Sequence, residues 1–121
     1  GRIPAGRPLF AEEHIEGSTT PEHNGGADYF ALRVVGDSMS AARINEGDLL
    51  IVRRQDQVEN GQIAVVMVNG EDATVKKYYR NGAMVSLVPQ SLNPEHQMTT
   101  YDLRKTSIQV LGLVVQNVIQ I

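Results

Sequence analysis

Residues 62–88 read QIAVVMVNGEDATVKKYYRNGAMVSLV, and this stretch decides the fold class. Strand-like runs over 62–68, 72–79 and 84–88 are separated by Asn69-Gly70 and Asn81-Gly82. Asn-Gly is the strongest short hairpin signal, because both residues tolerate the positive φ that a tight turn between antiparallel strands demands. The run Ile63, Ala64, Val65, Val66, Met67, Val68 has no polar alternation, as expected of a short strand covered on both faces. Working outward, Tyr29 to Val35 is rich in strand formers, Asp48 to Arg53 carries Leu49-Leu50-Ile51-Val52, and a last strand is expected over 107–119. Asn45-Glu46-Gly47-Asp48 and Glu59-Asn60-Gly61-Gln62 each place a glycine before a strand and read as turns. Only Ser38 to Arg43 looks helical, for barely one turn. The expectation is a small, mostly β domain with a strained strand-to-turn corner at Gly36 and no internal repeat.

Composition narrows the chemistry. The 121 residues suit one domain, and 41% hydrophobic with 21% charged residues is ordinary globular composition. Lys plus Arg is 11 and Asp plus Glu is 14, a net charge of −3. That balance lacks the basic footprint of an autonomous nucleic-acid binder. The absence of cysteine removes disulfides, zinc–thiolate sites, iron–sulfur clusters and thiol nucleophiles together, and fits a reducing cytoplasm. No apolar run approaches the roughly 20 residues of a membrane span, so a soluble protein without a membrane partner is expected. The acidic residues have no metal-ligand spacing, and neither metal nor cofactor is expected.

Gly1 to Asn24 reads differently. It carries Pro4, Pro8 and Pro21 with Gly1, Gly6 and Gly17 and few β-branched residues, so an extended arm over 1–24 is expected to precede a domain over 25–121.

Gly36-Asp37-Ser38-Met39 is the stretch most able to carry chemistry. A serine that follows a strand and a glycine, and opens a short turn, has an exposed hydroxyl. The same turn leaves amides near Asp37, Ser38 and Met39 free to meet a developing oxyanion. A nucleophile also needs a base. His14 and His23 lie in the arm and His96 in a Pro-Asn loop, so all three read as solvated loop histidines, and no Gly-x-Ser-x-Gly is present. The remaining bases are Lys76 and Lys77. Adjacent strand residues face opposite ways, so one of the two at most enters a given site, and alternation does not say which. The reference lysine pKa of about 10.4 must fall by about 3 for action near neutrality, which desolvation can supply.

At this point the sequence resembles a family. Gly36-Asp37-Ser38-Met39, Gly47-Asp48-Leu49-Leu50, Gly61-Gln62 and Thr74-Val75-Lys76 occur in the order seen in LexA-type repressors, phage repressors and UmuD-type proteins. Val85-Ser86-Leu87-Val88-Pro89 and Gly112-Leu113-Val114-Val115 continue the match. Gly1 to Pro8 resembles the LexA self-cleavage segment, with His14-Ile15-Glu16-Gly17 following. Pro4 departs from the pattern, standing where LexA commonly has a small or polar residue.

The resemblance implies a LexA- and signal-peptidase-like β domain with a cleavage-site arm, acting as a self-cleaving serine endopeptidase. Ser38 would be the nucleophile and Lys76, following Thr-Val, the neutral base. The amides of Asp37 and Ser38 would form the oxyanion hole, and Ala5-Gly6 would be the scissile bond. It further implies a homodimer, stimulation of cleavage by a RecA–single-stranded DNA filament after DNA damage, and operator DNA bound through a helix-turn-helix domain not in this chain. A UmuD-like self-cleaving accessory subunit of a translesion polymerase is the alternative.

Two further expectations come from the residues. Ile108 to Ile121 reads either as an exposed edge strand inviting a second copy or as a core strand with a frayed tail. Met39, Met67, Met84 and Met98 read as core filler.

Overall fold

The computed structural model describes residues 28–71 and 73–119. Seven strands follow in order: β1 Tyr29–Arg33, β2 Leu49–Arg54, β3 Gln62–Val68, β4 Ala73–Asn81, β5 Met84–Val88, β6 Thr99–Asp102 and β7 Ile108–Val118. They form one sheet, ordered β1-β2-β7-β3-β4-β5-β6, in which every pairing is antiparallel. The mostly β expectation holds.

Both Asn-Gly hairpins form. Asn69 (φ 52°) and Gly70 (φ 69°) join β3 to β4, and Gly82 (φ 62°) turns β4 into β5. β3 is buried on both faces, as its unbroken apolar run requires. Val65 packs with Phe30, Leu32, Met39, Leu50, Val52 and Val75, whereas Ala64 and Val66 pack with Tyr78, Val85, Leu87 and Val110. Each fully buried Val or Leu in such a cluster contributes about 2 kcal/mol relative to exposure.

Of the two readings of the last strand, the core one holds: β7 lies between β2 and β3 and pairs with both, although from Val114 onward it pairs with β2 and not with β3. To sit there it bulges twice, where its register shifts against Ile51/Val52 and against Val65/Val66. One expectation fails, because not all four methionines are core. Met39 is fully buried, but Met84 and Met98 are 41% and 59% exposed.

Candidate active site

The site begins where β1 ends. Val34 is the last residue held in sheet-like fashion, exchanging hydrogen bonds with Asp48 C=O and Gly47 N–H at 2.9 Å each. Gly36 then takes φ 92°, a left-handed conformation that glycine adopts without steric cost. The chain swings through Asp37 and Ser38 into a single 3-10 turn, Ser40–Ala42, which closes on left-handed Arg43. Among the described residues no carbonyl accepts from the amides of Asp37, Ser38 or Met39.

The corner is braced from below. Buried Asp48 accepts Asn45 N–H at 2.8 Å and Asn117 Nδ2 at 2.9 Å, and Asn117 also donates to Arg43 C=O at 3.0 Å. Ser38 does not face solvent as expected but is 1% exposed. One cause is the segment after β5, where Gln90 N–H donates to Ser38 C=O at 2.8 Å.

β4 brings the amine. In its register with β3, Lys76 pairs with Ala64 and Thr74 with Val66, so Lys76 shares a face with Ala64, Val66 and Tyr78. Lys77 pairs with Ile63 on the opposite face. Lys76 Nζ lies 3.2 Å from Ser38 Oγ and donates to Thr74 Oγ1 at 2.8 Å. Thr74 is two residues away along β4, hence on the same face. Its hydroxyl engages one amine hydrogen and orients the ammonium. Once the lysine is neutral, that leaves its lone pair to accept the serine proton. The lysine is half-buried, not fully enclosed.

The arrangement can therefore perform base-assisted attack by a serine hydroxyl, with unpaired amides beside the attacking oxygen. Sequence reasoning places Ser38 and Lys76 in one site, and they are in contact. Ala5, Gly6, His14 and His23 lie outside the described residues. His96 differs from expectation: it is a partner of Asp37, with Nε2 donating to Asp37 Oδ1 at 2.5 Å. That hydrogen bond is the main cause holding the Asp37 carboxyl below the usual carboxylate range. Partial desolvation works against it, and Asn93 adds to it. Nothing local in the sequence joins residues 37 and 96; only the hairpin stack β4–β6 carries the second loop back to the first. Thr74 was legible in retrospect, since two-residue spacing puts it beside Lys76.

Among the described residues no helix is long and apolar enough to cross a membrane, and no group of three or more His, Asp or Glu side chains converges to hold a metal.

Comparison with known proteins fits this geometry. The family described as Peptidase S24-like matches residues 1–115, the site and nearly the whole chain. The chain belongs to that family. It is also similar to proteins named LexA repressor. It is 44% identical over 118 residues to that of Erwinia tasmaniensis, covering 95% of this chain and 56% of the relative. It is 45% identical over 118 residues to that of Cellvibrio japonicus, covering 93% and 57%. The protein of Syntrophobacter fumaroxidans is 44% identical over 118 residues, covering 95% and 54%. The chain thus spans about half the length of the curated relatives it matches.

Proposed function

We propose that this chain is the dimerising, self-cleaving part of a LexA-like, cytoplasmic repressor, cutting its own arm between Ala5 and Gly6. The observation that carries the reading is the 3.2 Å approach of Lys76 Nζ to a buried Ser38 Oγ. Neutral Lys76 takes the Ser38 proton as Oγ attacks the Ala5 carbonyl carbon. The amides of Asp37 and Ser38 receive the oxyanion. The C–N bond to Gly6 then breaks, Lys76 gives its proton to the leaving Gly6 amine, and water hydrolyses the Ala5–Ser38 ester. Residues 1–5 and 6–121 are the products.

The arm, over 1–24, tethers substrate to site, so the reaction is unimolecular and gains effective concentration. Docking must still offset the arm's ordering entropy, and a chain that is mostly undocked cuts slowly. A RecA filament on single-stranded DNA accelerates cleavage by favouring the docked state. Operator DNA is bound through a helix-turn-helix domain belonging to the longer protein. High identity to proteins named LexA repressor supports this reading over the UmuD-like one. Dimerisation is placed at the end of β7, which from Val114 onward pairs with β2 and not with β3, and where Val115, Val118 and Ile119 are 46%, 40% and 59% exposed. Sedimentation showing a monomer at every concentration would remove that part of the reading.

The test is incubation of the purified chain at rising pH, followed by intact mass. The expected result is conversion to the 6–121 fragment, faster as Lys76 loses its proton, and no conversion for Ser38→Ala. A chain that stays whole at alkaline pH, or a Ser38→Ala chain that cuts, overturns the proposal.

A further inference from the structure

The segment from Pro89 to Met98, which joins β5 to β6, is tied to the serine turn along its length. Gln90 donates to Ser38 C=O at 2.8 Å and accepts from Ala41 N–H at 2.7 Å. Leu92 N–H donates to Ser40 Oγ at 3.3 Å, and the Ser40 and Ser91 hydroxyls are 3.4 Å apart. At the far end His96 Nε2 donates to Asp37 Oδ1 at 2.5 Å, and Asn93 Nδ2 makes a long contact of 3.5 Å with Asp37 Oδ2. The His96 contact is the short, charge-assisted one, and the Asn93 contact is at the limit of a hydrogen bond. Together they grip a carboxylate on the residue immediately before the serine.

That carboxylate is awkwardly placed for acyl transfer. It is a fixed negative charge one residue from the oxygen on which negative charge develops, and like charges close together raise the barrier. Without its loop partners it would also compete for a donor, the Asp37 backbone N–H, from which no carbonyl accepts among the described residues. A partner that draws the carboxylate into the 89–98 loop and offsets its charge relieves both effects.

We propose that His96 is a positioning residue for self-cleavage, holding the Asp37 carboxylate in the 89–98 loop so that the amides of the serine turn stay available to the oxyanion. The proposal rests on the Ser38–Lys76 reading and adds to it a role for a loop 58 residues downstream of the serine. Asp37 is the charged group in contact with His96 among the described residues. Glu95 lies beside His96 in its own loop, and Lys76 reaches the other side of the turn at Ser38.

The imidazole reaches Asp37 through an N–H that donates to the carboxylate, and a side chain with no donor cannot replace it.

The experiment compares self-cleavage of the 121-residue chain with His96→Gln and His96→Ala from pH 6 to 9.5. Glutamine keeps an N–H donor but never a charge. The expected rate of His96→Gln is within about twofold of wild type and that of His96→Ala about fivefold lower, the size of one lost hydrogen bond. His96→Ala is slower than wild type at every pH. In an Asp37→Asn background, His96→Ala changes the rate by less than about twofold. A His96→Gln chain as slow as His96→Ala, a His96→Ala chain as fast as wild type, or a His96→Ala effect undiminished in the Asp37→Asn background overturns the positioning role. The controls separate the two readings. A wild-type chain that never cleaves, or a Ser38→Ala chain that does, defeats the Ser38–Lys76 reading and this one with it. Normal Ser38-dependent cleavage with unaltered His96 variants defeats this one alone.

Discussion

Lys76→Ala stops cleavage at Ala5-Gly6 across the whole alkaline range, while Lys77→Ala cuts within about twofold of the parent. The two lysines are neighbours in sequence and identical in chemistry, so the contrast is set by the pleat of β4 alone. Lys76 lies opposite Ala64 and shares its face with Val66 and Tyr78, all buried; Lys77 lies opposite Ile63 on the other face. Of the two, Lys76 is the one within 3.2 Å of Ser38 Oγ. Loss of a positioned general base slows a reaction by about 100-fold to 10,000-fold. Here it removes the amine that meets the serine hydroxyl and, in the proposed mechanism, takes its proton. Intact mass after timed incubation at pH 9 to 10 measures both variants. If Lys77→Ala were the inactive one, β4 would have to be shifted by one residue against β3, which would turn every β4 side chain to the wrong face.

Gly112→Ala unfolds the protein at a markedly lower temperature. Gly112 lies in β7, opposite Arg54 of β2 and Val65 of β3. A Cβ there would stand 2.4 Å from Arg53 O, 2.6 Å from Val52 Cγ1 and 3.1 Å from Arg53 C. The constraint is space rather than backbone angle, and two of the three atoms belong to the backbone of a central strand that has little freedom to move away. Overpacking of this kind costs about 2 kcal/mol, equivalent to a Tm lower by about 8 °C for a domain of this size. Thermal unfolding followed by circular dichroism measures it, and Gly112→Val falls further. A Gly112→Ala chain with the parent's Tm would mean that β2 and β7 separate more easily than their pairing indicates.

How much of this was legible in the sequence follows from which forces are local. The hairpins were readable because Asn69-Gly70 and Asn81-Gly82 carry their turn geometry within two residues, and β3 because an unbroken apolar run has few other uses. The Gly36 corner was readable because a strand that must stop abruptly needs a left-handed residue. The resemblance singled out Lys76, and the strand register puts it, rather than Lys77, within reach of Ser38. β6 was missed because Thr99-Thr100-Tyr101-Asp102 is short and polar and is a strand only through its pairing with β5. The position of β7 stayed open between edge and core for a related reason. Apolar length says that a strand is covered, but not that β2 and β3, 8 residues apart in sequence between Arg54 and Gln62, will part to admit it. His96 was misread because its partner is 59 positions away, a separation that no periodicity spans.

The seat of β7 has a consequence for the protein's earliest minutes. Ser38 hangs from the β1–β2 half of the sheet and Lys76 from the β3–β6 half, and within the sheet only β7 bridges the two. The 89–98 loop ties the two halves at the serine turn through Gln90 and His96, but the sheet itself becomes one continuous frame under hydroxyl and amine only when the bridging strand inserts, a late event among long-range pairings. Among the described strands that bridge is also the last to leave the ribosome, so the rivet of the scissors is set after both blades.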